Sequence, residues 1–135
     1  MRYMLDTNIC IHLMQRRPVG AVEKFSALRV GDVVMSAVTY AELCFGVERH
    51  PDQWDRTRAA LRGLIEDIPV LPFDEGAALS YGVLRAAVRD RRRDALDRLI
   101  AAHAVSRHLV LVTNNEADFS DYPGVSLENW LAESP

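Results

Sequence analysis

Apolar residues fall along this chain in short, continuous runs alternating with longer stretches at helical spacing. Tyr3 to Leu5 is a brief apolar run ended by Asp6, and Ile9, Ile11 and Leu13 then recur through Asn8 to Met14, predicting strand, turn and helix. After Pro18, the positions Val22, Phe25 and Leu28 predict a second helix that Gly31 stops, and Val33 to Met35 reads as a second strand. Thr39 is expected to open a third helix reaching Glu48. Pro51 starts a fourth, with Trp54, Leu61, Leu64 and Ile65 as its apolar stripe as far as Ile68. Pro69 to Leu71 predicts a third strand, 74–90 and 94–108 two helices, Leu109 to Val112 a fourth strand and Val125 to Leu127 a fifth.

Strands that are apolar throughout, rather than alternating, are buried on both faces. Interleaved with helices they imply an α/β class, a three-layer α/β/α domain around a short-stranded, mainly parallel sheet. The 135 residues suffice for one domain with a core of its own, and no linker or repeat divides them, so residues 1–135 are expected to form a single unit. Such sheets bind ligands at the carboxyl ends of their strands, which directs attention to acids at that edge.

Four acids fall there or at a helix start beside it: Asp6, Glu42, Asp97 and Asp118. Gathered on one rim, they would repel one another unless a cation neutralised them, and an all-oxygen set suits magnesium or manganese. Each has a plainer reading as well. Glu42 stands three residues after Thr39, the spacing of a capping box, while Asp94 and Asp97 complement a helix dipole. Residues 115–118 could form a polar turn, and Asp6 could cap the first helix. Asp6 stands out because it ends a buried strand and is followed at once by Thr7 and Asn8, a polar triplet where α/β sheets bind ligands.

Composition narrows the chemistry. Apolar residues at 49% and charged ones at 26% describe a globular chain, and a net charge of −3 leaves nucleic-acid binding to local patches or a bound cation. Lys24 is the sole lysine among 16 basic residues, which excludes P-loop and lysine-dependent receiver chemistry. A dehalogenase-type phosphatase would need a second aspartate where Asn8 stands. Cys10 and Cys44 are too few for a disulfide framework and are expected to be buried free thiols; with no signal-like or membrane-length apolar run, a cytoplasmic location is expected. The four histidines have no zinc-site spacing, and His103 is expected to be a hydrogen-bonded residue at the core edge.

The ordered segments MLDTN–ICIHLM, VTYAELCFGVERH, DRLIAAHA, LVLVTNNEADF and LENW resemble VapC-type toxins of the PIN-domain ribonuclease family over essentially the whole chain. That resemblance implies a PIN fold and a magnesium- or manganese-dependent endoribonuclease acting as the toxin of a type II toxin–antitoxin pair. It also implies a cognate antitoxin and a homodimer as partners. The family's acidic positions fall on Asp6, Glu42, Asp97 and Asp118, and its polar pair after the fourth strand on Thr113 and Asn114. Where relatives commonly carry a glycine-containing loop, this chain has Arg91, Arg92, Arg93 and Asp94.

The mechanism expected is in-line attack of water on an RNA phosphodiester, with Asp6 and Asp97 as direct metal ligands and Glu42 and Asp118 completing the shell or taking the water's proton. From Arg85 to Arg98 six arginines face three aspartates, either a grip on RNA or a solvated helix face. Ile9, Ile11, Leu13, Leu43, Phe45 and Val47 exceed what one core-facing stripe needs, so part of them is expected at an interface. The alternatives are a PIN-type nuclease of RNA processing or single-stranded DNA, or a non-catalytic α/β binding domain.

Overall fold

A computed structural model describes residues 1–88 and 95–131. Five strands, β1 (Tyr3–Leu5), β2 (Val33–Ser36), β3 (Val70–Leu71), β4 (Val110–Val112) and β5 (Ser126–Glu128), form one sheet in the order β3-β2-β1-β4-β5. Every pairing is parallel. The chain first builds outward from β1 through β2 to β3, then returns to lay β4 on the other side of β1. The strand order therefore reverses between β1 and β4, the crevice where open α/β sheets take their ligands.

Side chains on neighbouring strand positions point to opposite faces. Tyr3, Leu5, Val33, Met35 and Val112 pack on one side with Ile9 and Leu13 of α1 (Thr7–Met14), Ala21 of α2 (Val19–Ser26), Leu43 and Val47 of α3 (Ala37–Glu48), and Leu61 and Leu64 of α4 (Trp54–Asp67). Met4, Val34 and Leu111 pack on the other with Leu84 of α5 (Glu75–Ala87) and Ile100, Ala101 and Ala104 of α6 (Ala95–Ser106). These two apolar clusters make the three layers.

The strands match expectation within a residue at each end, and the helices differ in instructive places. Helix α3 begins at Ala37 rather than Thr39, because Ser36 is its cap: the Ser36 hydroxyl accepts from the Val38 N–H at 3.1 Å. Thr39 is therefore a buried residue inside the helix, and the capping-box reading of Glu42 falls. Helix α2 ends at Ser26, before Leu28, which still packs on the core, and Gly31 turns the chain into β2 at a φ of +100° that a side chain would resist. Pro51–Gln53 is a single 3-10 turn ahead of α4. Residues 116–119 form a one-turn helix, α7 (Glu116–Phe119), where a polar turn was one of the two readings. The readings placed on Arg91, Arg92, Arg93 and Asp94 lie outside the described residues.

Cys10 is buried and Cys44 half-buried rather than buried, both as free thiols. Among the described residues no helix is long and apolar enough to cross a membrane.

Candidate active site

Strand β1 ends where its hydrogen-bonding partner β4 also ends, and the Asp6 N–H donates to the Val112 carbonyl at 3.0 Å. With Leu5 paired to Val112 and Met4 to Val34, continuing those registers by one and two residues sets Asp6 beside Thr113 and Ser36 along the carboxyl edge. Asp6 does cap α1, its Oδ1 accepting from the Ile9 N–H at 3.0 Å. Its surroundings go beyond a cap. Only 5% of the residue is exposed, whereas a helix-capping carboxylate gains most where water still reaches its free oxygen.

Burial drives the Asp6 carboxyl above its usual pKa range. Hydrogen bonds from Thr113 and the Ile9 N–H work against that rise, the negative charge of Glu42 adds to it, and His12 opposes it weakly. A buried acid next to a second acid is an unfavourable arrangement for an apolar core to keep. Glu42, half-buried on α3, is held in place across the groove: Thr7 Oγ1 donates to its Oε1 at 2.7 Å. Thr113 is fully buried, its hydroxyl accepting from the Asn115 N–H at 3.0 Å and bonding to Asp6 on its other side. The structure thus brings Asp6, Thr7, Glu42 and Thr113 into one connected group.

The other acids sit on separate elements. Asp97 is half-buried in the first turn of α6, and Asp118 is half-buried in α7, where Asn115 Nδ2 donates to its Oδ2. Asn8 and Asn114 are exposed. Among the described residues, no three His, Cys, Asp or Glu side chains converge closely enough to hold a metal ion by themselves. The fit to a cation accordingly rests on charge and donor type, since a desolvated Asp6 beside Glu42 offers hard oxygen donors whose mutual repulsion a divalent ion would relieve.

A cleft of about 1440 Å³ opens beside Glu42 between α1, α3, α4 and α6. Its walls combine Thr7, Asn8 and Glu42 with apolar Ile11 and Phe45 and basic Arg17. This accounts for part of the apolar excess of the early helices: Ile9, Leu13, Leu43 and Val47 are core, while Ile11 and Phe45 face the cleft.

Ser36 was not anticipated at this edge, nor was its pairing with His103. Ser36 and His103 are both fully buried, with His103 Nδ1 2.8 Å from Ser36 Oγ. The hydrogen bond of His103 agrees with expectation, but its place is inside the core rather than at the core edge. The signal for Ser36 was present in the sequence, as a polar residue ending the apolar run VVM just as Asp6 ends YML.

The PIN domain family model matches residues 3–125. The chain is 37% identical over 132 residues to the tRNA(fMet)-specific endonuclease VapC of Shigella flexneri, covering 96% of this chain and 98% of that one. It is 32% identical to ribonuclease VapC2 of Haemophilus influenzae strain Rd, covering 97% and 99%. Among solved structures it resembles DNA-bound VapBC from Salmonella typhimurium, with a TM-score of 0.88, 36% identity and coverage of 96% and 98%. It likewise resembles VapBC-1 from nontypeable Haemophilus influenzae, with a TM-score of 0.85, 35% identity and coverage of 98% and 100%. A reversed-order parallel sheet carrying a buried acid at its switch point, matched over nearly its full length by these proteins, places the chain in the PIN-domain family as a VapC-type ribonuclease toxin.

Proposed function

We propose that the carboxyl edge of β1 and β4 is the catalytic centre of this ribonuclease, that Asp6 and Asp97 hold magnesium or manganese there, and that Glu42 and Asp118 complete the site. The observation that carries this reading is Asp6, a buried carboxyl pushed above its usual range by desolvation and by Glu42. A divalent cation so held supplies Lewis-acid activation of water and neutralises charge on the phosphodiester. The chain's own residues do the rest. Thr113 and the start of α1 fix the Asp6 carboxylate, and Thr7 fixes Glu42. Glu42 or Asp118 takes the proton from the attacking water, and Thr7, Asn8, Thr113 and Asn114 offer polar contacts to the substrate.

The relatives from Shigella flexneri and Salmonella typhimurium are named tRNA(fMet)-specific endonucleases, so initiator tRNA heads the substrates to be tried. Solved neighbours that include VapBC and FitAB assemblies support a cognate antitoxin as a partner. A homodimer would cover the exposed Leu79 and Val83 of α5. We take residues 1–135 as the working domain.

The test incubates the purified chain with initiator tRNA and other structured RNAs, with and without magnesium or manganese, beside Asp6→Asn. Cleavage that needs the metal and is lost in the variant is expected. Cleavage without metal, or full activity in Asp6→Asn, overturns the reading.

A further inference from the structure

The Ser36–His103 pair lies 67 positions apart in sequence and joins two elements that carry acids. Ser36 ends β2 and caps α3, with its hydroxyl accepting from the Val38 N–H at 3.1 Å, while the same oxygen sits 2.8 Å from His103 Nδ1 on α6. Glu42 is six positions after Ser36, and Asp97 is six before His103. Each acid therefore rides about 9 Å along a helix from the junction, at 1.5 Å per residue.

Packing alone does not explain the pair. Both residues are fully buried, and His103 Nε2 is buried with no hydrogen-bond partner among the described residues, so a polar side chain is being kept here at a cost. The imidazole meets the ring of Phe73 edge to face, with ring centres 5.4 Å apart, and Asp74 and Arg107 act on it electrostatically without pairing its Nε2. An aliphatic side chain would fill that space without leaving an unpaired nitrogen. What it would lack is direction: a hydrogen bond fixes distance and angle, where apolar contact leaves one helix free to slide on another.

We propose that the Ser36–His103 bond is a positioning device for the acid site. It pins the start of α3 and the body of α6 to one point of the sheet edge, so that Glu42 and Asp97 reach Asp6 in a single register. The proposal rests on the reading of these acids as the metal site. With arms of about 9 Å, a tilt of about 10° at the junction moves an acid about 1.5 Å, and displacements of that order can cost up to about a hundredfold in rate. His103 is a positioning residue in this scheme and touches neither substrate nor metal.

The test compares His103→Asn with His103→Gln. Asparagine places an amide near the Nδ1 position and can keep the bond to Ser36, whereas glutamine reaches toward the Nε2 position and cannot. Manganese is titrated against the rise in Tm, and kcat and KM for RNA are measured at saturating manganese. The Gln variant is expected to need about tenfold more manganese and to lose about tenfold in kcat, the scale on which supporting residues tune metal sites, with KM unchanged. The Asn variant should recover both to within about threefold. Ser36→Ala against Ser36→Thr repeats the comparison from the other side of the bond if glutamine does not fit.

Equal manganese midpoints and kcat in the paired variants, or losses that follow metal-free Tm alone, overturn the proposal. Metal-independent cleavage by the wild type, or an active Asp6→Asn, instead overturns the acid-site reading and this inference with it.

Discussion

Thr7 Oγ1 donates to Glu42 Oε1 at 2.7 Å, joining the first residue of α1 to a residue 35 positions later on α3. Thr7 follows Asp6 directly, so one short segment both supplies a buried acid and holds a second acid beside it. Removing the hydroxyl should loosen Glu42 without emptying the core. Thr7→Val is expected to lower kcat about tenfold and to cost about 1 kcal/mol of stability, while Thr7→Ser keeps both near wild type. Single-turnover cleavage and denaturant melts of the three proteins check this.

Asp6 should be a liability to folding and a requirement for cleavage. Its carboxyl is raised in the folded state above its ordinary value of 3.8, so the ionised form is disfavoured by folding. The penalty is absent below pH 3.8 and grows as pH rises through the folded value. Asp6→Asn, which can still accept from the Ile9 N–H, should therefore melt higher than wild type at neutral pH without metal, and the advantage should shrink on acidification. Manganese should raise the Tm of wild type and not of the variant, and cleavage should fall by more than about a hundredfold. Melting curves across pH, with and without manganese, carry the test.

His103 gives a dependence of the opposite sense. Burial lowers its pKa from the ordinary 6.5; Asp74 pulls it up and Arg107 pushes it down. A neutral imidazole is thus favoured by folding, and its contribution is complete above pH 6.5 and lost as pH falls through the folded value. His103→Asn should remove that portion of the acid destabilisation, flattening Tm against pH below 6.5 relative to wild type.

The thiols should separate cleanly. Cys10 is fully buried and its thiol is pushed far above its usual range by desolvation, with Asp6 adding to the rise, whereas Cys44 is half-buried. Native protein exposed to iodoacetamide should take one label, on Cys44, and unfolded protein two, as read by intact mass and peptide mapping.

The strands were legible because runs such as YML, VVM and VLV are apolar on consecutive positions, a pattern that burial on both faces requires. Asp6 was legible for the same reason, as the polar residue that interrupts such a run. Helix boundaries were less so: Ser36 and Thr39 are both good caps, and only the path of β2 into α3 chooses Ser36. Glu42 could be noticed but its partner could not, since Thr7 is distant in sequence and the bond depends on how α1 lies against α3. The one-turn α7 has too few residues to show a period.

The reversal of strand order has a bearing on synthesis as well as on chemistry. Asp6 and Glu42 are made early, but the Val112 carbonyl that anchors the end of β1 and the Thr113 hydroxyl that bonds Asp6, at and just past the end of β4, come about a hundred residues after Asp6 and about seventy after Glu42. Until β4 slides in beside β1, the central strand lacks one neighbour and the acid lacks its socket. A nascent chain that has not yet reached Thr113 therefore holds Asp6 without the carbonyl and hydroxyl that fix it, so the order of translation delays the assembly of this edge until β4 has been made.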